Sequence, residues 1–207
     1  MTRIYIIRHA EAEGNLYRRV HGWYDSLITD NGYRQIAALA NRFQNIPIDA
    51  VYASDLFRTK TTAGAVCQPK GLPLRTRPDL REIGLGIWED CTWGDLARRD
   101  GERLRIFNAM SPAFAVEGGE TFWQVQERVL RAVLEIAADH PGQSVAVFSH
   151  GSAIRCLQGA VRGLKPGELD ALGHSDNTAV TCLEVEGGRA SIVFENDGGV
   201  KTINLFS

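Results

Sequence analysis

Two arginines and two histidines stand immediately after, or one turn beyond, short apolar runs. Arg8 and His9 follow residues 4–7, Arg58 follows residues 50–54, and His150 follows Ser144–Ser149. A guanidinium binds phosphate oxygens through paired, planar hydrogen bonds and stays charged at any physiological pH. A neutral imidazole can attack phosphorus and become a covalent carrier. Gly151 and Ser152 open a helical pattern, and a helix N-terminus directs N–H donors and partial positive charge at an anion. Together these residue types suit phosphoryl transfer. There is no Gly-x-x-x-x-Gly-Lys loop, which counts against a P-loop nucleotide hydrolase. Nor is there a His-Glu-x-x-His helix or the carboxylate cluster that metal-dependent phosphatases use.

The elements that must position these groups are legible in the apolar periodicity. The run Ile4-Tyr5-Ile6-Ile7 suits a strand buried on both faces. Residues 50–54 give a second strand and Ser144–Ser149 a third, with helices expected from Leu56 to about Val66 and from Ser152 onward. Tyr33, Ile36, Ala37, Ala40 and Phe43 fall on one helical face, with Thr29 or Asp30 as N-cap. A helix of about 18 residues from Phe122 buries Phe122, Val125, Val129, Val133 and Ala137, and Thr121 with Gln124 forms its capping box. Residues 179–185 and 190–194 flank Glu186-Gly187-Gly188-Arg189, a hairpin signal. Strands alternating with helices specify an α/β fold: a three-layer sandwich, its central sheet mostly parallel, with helices on both faces and an antiparallel edge. In such a sheet ligands bind outside the carboxyl ends of the strands, where all four of the opening residues fall. Residues 85–118 break the alternation and are expected to form an insertion covering the active site.

Composition sets the outer limits. A chain of 207 residues fits a single domain over residues 1–207, large enough to fold without a metal or disulfide staple. Net charge is −2, so there is no global basic field for nucleic acid or for an anionic membrane, and any anion site must be local. The apolar start is too short for a signal peptide or a membrane helix, and Cys67, Cys91, Cys156 and Cys182 show neither zinc spacing nor a paired motif. Reduced, structural thiols and a cytoplasmic location are expected.

The motif Ile-Arg8-His9-Ala10-Glu11, with Asn15 following, resembles the signature of the histidine phosphatase superfamily, whose fold is phosphoglycerate mutase-like. The resemblance continues in Gly22-Trp23-Tyr24-Asp25, in Gly32-Tyr33-Arg34-Gln35 and in Ser54-Asp55-Leu56-Phe57-Arg58-Thr59. It resumes in Leu80-Arg81-Glu82-Ile83, in Gly86-Ile87-Trp88-Glu89, in Ser149-His150-Gly151 and at Asn177. Ala10 departs from the usual glycine, and His21 stands where relatives often carry glutamine. The resemblance implies that His9 becomes phosphohistidine, and that Arg8, Arg58 and His150 neutralise the phosphoryl group with Asn15 as a further contact. Glu82 would protonate the leaving alcohol and then activate water; Glu11, Glu89 and Glu120 lie near matched segments as rival carboxylates. His21, Gly22 and Gly151 complete the expected phosphate- and substrate-binding set, and no metal or other cofactor is implied.

A small phosphorylated metabolite is therefore the expected partner, and a homodimer is an expectation only at the level of the family. Hydrolysis is favoured over mutase chemistry, because residues 80–89 resemble the phosphatase branches and a mutase needs more cover to keep water from the phosphohistidine. A silent phospholigand-binding module would be expected to lose His9 or Glu82, and both are present. His140 is expected to be structural, histidines such as His21 and His174 are more often surface or packing residues than substrate contacts, and Trp88 and Trp93 are expected in the core of the insertion.

Overall fold

The computed structural model describes residues 1–198 of the chain. Its sheet has the order β3-β2-β4-β1-β5-β6, built from β1 (Thr2–Arg8), β2 (Ala50–Ala53), β3 (Leu74–Thr76), β4 (Ser144–Ser149), β5 (Val180–Glu186) and β6 (Arg189–Asp197). The pairs β3–β2, β2–β4 and β4–β1 are parallel; β1–β5 and β5–β6 are antiparallel. The mostly parallel sheet with an antiparallel edge is thus as the sequence leads one to expect.

Alternate strand residues feed two cores, as a period of two requires. Ile4, Ile6, Tyr52, Val145, Val147 and Leu183 face one core, closed by α6 (Phe122–Asp139) and α7 (Gly151–Val161). Ile7, Val51, Ala53, Ala146, Phe148 and Val180 face the other, closed by α2 (Asp30–Phe43) and α3 (Phe57–Lys70). Between β1 and α2 a single turn, α1 (Glu13–Leu16), leads the chain past the carboxyl end of the sheet. The α6 capping box is present, and all five of its expected apolar positions are buried.

Two expectations need correction, and one strand has no counterpart in the sequence reading. The buried stripe of α2 runs through Gly32, Leu39 and Phe43 rather than through Tyr33 and Ala37, which are exposed. The reason is Gly32: a Cβ there would lie 2.2 Å from the Glu11 carbonyl oxygen, so the helix rests on that backbone and turns Tyr33 outward. Helix α3 continues one turn beyond Val66 to Lys70, stopping at Gly71 in the left-handed region at φ +63°. Strand β3 was not anticipated; it has three residues, all partly or fully exposed.

Residues 85–119 leave and rejoin the body through an isolated bridge between Leu85 and Gly119. They carry α4 (Trp93–Arg99) and α5 (Gly101–Asn108). Trp88, 2% exposed, packs against Phe107 and Phe114 and joins the α6-side core. All four cysteines are free. No helix among the described residues is long and apolar enough to cross a membrane.

The displaced α2 face can be tested by denaturation. Leu39→Ala should lower stability by about 2–5 kcal/mol in urea titrations, whereas Tyr33→Ser should cost less than about 0.5 kcal/mol. The opposite order would restore the face that periodicity alone suggested.

Candidate active site

Strand register brings the opening residues together. Arg8 pairs with Ser149 at the end of the β1–β4 ladder. His9 N donates to Ser149 O at 3.0 Å, and Ser54 N donates to Phe148 O at 3.0 Å. Three strand ends therefore deliver His9, Ser54 and His150 side by side. The rings of His9 and His150 lie 5.2 Å apart, and that of His21 lies 5.9 Å from His9.

His9 is 2% exposed, and its Nδ1 lies 2.7 Å from the Ala10 carbonyl oxygen. A carbonyl only accepts, so Nδ1 carries the proton and a neutral ring keeps its lone pair on Nε2. Burial pushes the His9 pKa well below its ordinary value, and the charges of Arg58 and Arg8 push it further. His150, fully buried, is lowered by burial and then by Arg58; its Nε2 lies 2.7 Å from Ser54 Oγ, which lies 2.7 Å from Thr59 Oγ1. His21 is lowered to about 3 by burial, then by Arg58 and Arg8, and its Nε2 lies 2.8 Å from Ser26 Oγ.

Arg58 is fully buried in the first turn of α3. Its guanidinium donates to Gly22 O at 2.8 Å and Tyr24 O at 3.0 Å, with the Asp25 carboxylate 3.5 Å away. Burial lowers its pKa to about 10 despite the opposing charges of Glu82 and Asp25. Arg8 donates from Nη1 to Ser175 O and is likewise lowered by burial. Arg8 Nε, Arg58 Nε and His150 Nδ1 are all buried with no hydrogen-bond partner in the protein. Three orphaned nitrogens around one imidazole form a cradle complementary to an anion.

Glu82 closes the mouth of this cradle. Its Oε1 accepts from Ile83 N and Ala153 N at 3.0 Å, and its Oε2 from Ser152 N at 3.1 Å, which ties it to the N-terminus of α7. Arg128 on α6 holds the loop from behind, donating to the carbonyls of Asp79, Arg81 and Glu82 and pairing with Glu120 through two nitrogens. The rival carboxylates are engaged elsewhere. Glu11 accepts from Thr29 and Asn31, Glu89 from the backbones of Trp23 and Leu85, and Glu120 from Arg128 and Gly84 N.

A cavity of about 520 Å³ opens beside the cradle. Arg8, Asn15, His21, Gly22, Glu82 and Gly151 line it, while His9, Arg58 and His150 stand behind its wall, within the electrostatic reach of one another. Asn15 spends its side-chain oxygen on Ala12 N, which leaves its amide NH₂ for the cavity. Trp93 stacks on Phe107, yet both also line the cavity, so Trp93 is not solely a core residue. Sequence reasoning missed Gly14, where a Cβ would lie 2.1 Å from His21 Nε2, and the organising role of Arg128. Asn177 Nδ2 donates to His9 O at 2.9 Å and steadies the loop after β1. Among the described residues, no group of three or more His, Cys, Asp or Glu could hold a metal ion.

This α/β sandwich with a cationic cradle at its strand ends has clear relatives. The histidine phosphatase superfamily (branch 1) matches residues 4–198, and the chain belongs to that family. It is 34% identical over 168 residues to a protein of Cronobacter sakazakii named probable phosphoglycerate mutase GpmB, covering 79% of this chain and 76% of that one. The structure of Bacillus stearothermophilus YhfR superposes with a TM-score of 0.91 at 32% identity, covering 95% of this chain and 98% of the other. A mycobacterial glucosyl-3-phosphoglycerate phosphatase, solved as a complex with VO3, gives a TM-score of 0.86 at 28% identity, over 94% and 98%.

Neutral buried imidazoles make stability depend on pH in a defined direction. The folded-state pKa values of His9, His21 and His150 are depressed, so below about pH 6.5 the unfolded chain binds protons that the folded chain does not. Stability is therefore greatest above that pH and falls as pH drops through it. Between pH 7.5 and 5.5 the loss should be about 1 kcal/mol for each imidazole, measured by urea denaturation. A His21→Gln variant should lose correspondingly less.

Proposed function

We propose that this chain is a metal-independent phosphatase that hydrolyses a small phosphorylated metabolite through a phosphohistidine on His9. The observation that carries the reading is the 2.7 Å contact between His9 Nδ1 and the Ala10 carbonyl oxygen, which fixes the place of the ring proton. Held on Nδ1 by Ala10 O, it leaves Nε2 as a lone-pair nucleophile among Arg8, Arg58 and His150, whose orphaned nitrogens suit phosphoryl oxygens. In the first step the Nε2–P bond forms and the P–O bond to the alcohol breaks, with Glu82 giving the leaving oxygen its proton. In the second, Glu82 takes a proton from water as the new O–P bond forms and the N–P bond breaks, yielding inorganic phosphate. Neutral His150 donates through Nδ1 when the Ser54 hydroxyl donates to Nε2. Asn15, Gly22, His21 and Gly151 surround the phosphoryl group and the start of the alcohol.

A mutase reading draws on the relative named probable phosphoglycerate mutase. Hydrolysis draws support from the mycobacterial glucosyl-3-phosphoglycerate phosphatase, whose structure superposes on 94% of this chain at 28% identity. With 3-phosphoglycerate as substrate, release of phosphate faster than formation of the 2-isomer supports hydrolysis; the reverse establishes the mutase.

His9→Ala should abolish turnover of p-nitrophenyl phosphate while leaving the fold intact by circular dichroism. Retention of a tenth of wild-type turnover would remove His9 as nucleophile, and an inactive wild type would leave only phospholigand binding. Activity should survive excess EDTA; a loss restored by one divalent ion would overturn metal independence. Glu82→Gln should slow the phosphorylation step with alkyl phosphates by about 10²–10⁴-fold. The same step with p-nitrophenyl phosphate, whose phenolate needs little protonation, should be far less affected, and phosphohistidine should then accumulate. Rapid-quench measurement of both steps decides, since equal losses and no trapped intermediate would move the acid role to another group.

A further inference from the structure

Arg8 owes the placing of its guanidinium to a part of the chain remote from the strand that carries it. Among the described residues the one hydrogen-bond acceptor of that group is the Ser175 carbonyl, which receives Nη1. The fork also lies over Gly151, where a Cβ would stand 3.5 Å from Cζ and Nε, a contact with no directional preference. Ser175 belongs to residues 173–176, which lie in neither helix nor strand and must be fixed by other bonds. Ser175 is buried, and its hydroxyl donates to Asn196 Oδ1. The same oxygen accepts from Gln158 Nε2 on α7 at 3.0 Å. Thr181 Oγ1 on β5 completes the cluster, accepting from Gln158 Nε2 at 3.0 Å and from Asn196 N at 3.2 Å. Gln158 and Thr181 are both buried, so these bonds are protected from water.

An irregularity in β6 aims Asn196 at this cluster. Cys182 pairs with Phe194 but Val180 with Asp197, so β6 holds one residue more than β5 across that interval. Asn196 takes φ +50°, in the left-handed region that asparagine tolerates better than most residues. A bulge of this kind turns a side chain away from the direction that a regular ladder would give it. We propose that Asn196 is a positioning residue for Arg8: its amide oxygen fixes the Ser175 hydroxyl, and the Ser175 carbonyl fixes the guanidinium toward the phosphoryl group. This rests on the reading above, in which Arg8 binds that group. The outer hairpin thus contributes to phosphate binding without touching phosphate.

Two variants break the tie from opposite ends. Asn196→Gly keeps the left-handed backbone and removes the amide, whereas Ser175→Ala keeps the carbonyl and removes the hydroxyl. Calorimetric titration with inorganic phosphate should show each weakening its binding by about 3- to 10-fold, as expected of one lost hydrogen bond. Because both act through one contact, the double variant should bind no more weakly than the weaker single one. Val193→Ala, at a half-exposed position on the same strand, should bind as wild type does. A second measurement reads Arg8 itself. Its Nε–H resonance in ¹⁵N spectra, assigned by its loss in Arg8→Lys, should move in Asn196→Gly and Ser175→Ala but not in Val193→Ala. Wild-type affinity in both tie variants, losses that multiply in the double variant, or an unmoved Arg8 resonance overturns the proposal. If Asn196→Gly does not fold, Ser175→Ala decides alone by the same two readouts. If the wild type binds no phosphate, the cradle reading fails, and the resonance alone decides whether Asn196 sets Arg8.

Discussion

Complete burial of the Arg58 guanidinium is the constraint around which the site is organised. A cation removed from water needs donors matched to acceptors, and here the acceptors are two loop carbonyls, Gly22 O and Tyr24 O. To offer its carbonyl, Gly22 takes φ +51°, and a Cβ there would meet Glu89 Oε1 at 2.3 Å. The loop is therefore pinned from two sides, by Arg58 and by Glu89, whose carboxylate also accepts from Trp23 N and Leu85 N. Arg58 is anchored in turn by the Thr62 hydroxyl, which accepts from Ala10 N and donates to Arg58 O. Helix α3, the loop after β1 and the loop around residue 22 thus form one unit, so displacement of any part would expose or strand a buried charge.

A second tie reaches the site from α6. Arg128 donates to the carbonyls of Asp79, Arg81 and Glu82 and is itself fixed by Glu120, whose other bond goes to Gly84 N. Neither partner is more than 17% exposed, so the pair is shielded from screening and can act as a rigid strut. Its consequence is to choose among carboxylates. Glu120 is used up in the strut, and Glu82 alone is left at the cavity with its oxygens facing the start of α7. Helix α6 reads from sequence as a core element; its polar side also holds the loop that carries Glu82.

Features with a local signal were legible in the sequence, and those resting on distant contacts were not. Strands β1 and β4 are short apolar runs, α6 carries its own capping box, and Arg8, His9, Arg58 and His150 each sit in a recognisable motif. Strand β3 has no such signal: Leu74 is its one apolar residue, and its pairing is supplied by β2. The α2 face was misplaced because Gly32 contributes nothing to an apolar pattern, although it makes the closest approach. Gly14 has its reason in the His21 ring, and Arg128 in carbonyls some 46 to 49 residues away. Trp93 shows a different limit, since one indole can both stack in a core and line a cavity.

The same cations can serve both halves of the proposed chemistry. Arg8 and Arg58 hold charge that does not titrate near neutrality, even after burial lowers Arg58 to about 10. Placed beside His9, they make a third positive charge there unfavourable, so the ring stays neutral and keeps the lone pair that attack on phosphorus needs. Toward an incoming phosphoryl dianion the sign of the interaction reverses, and they attract it to that lone pair. A lysine in either place would lack the planar fork, and its lower, more easily shifted pKa would invite neutralisation on burial. Guanidinium thus keeps its charge in spite of burial and imidazole loses its charge because of it, and the division between binding and attack follows from that difference.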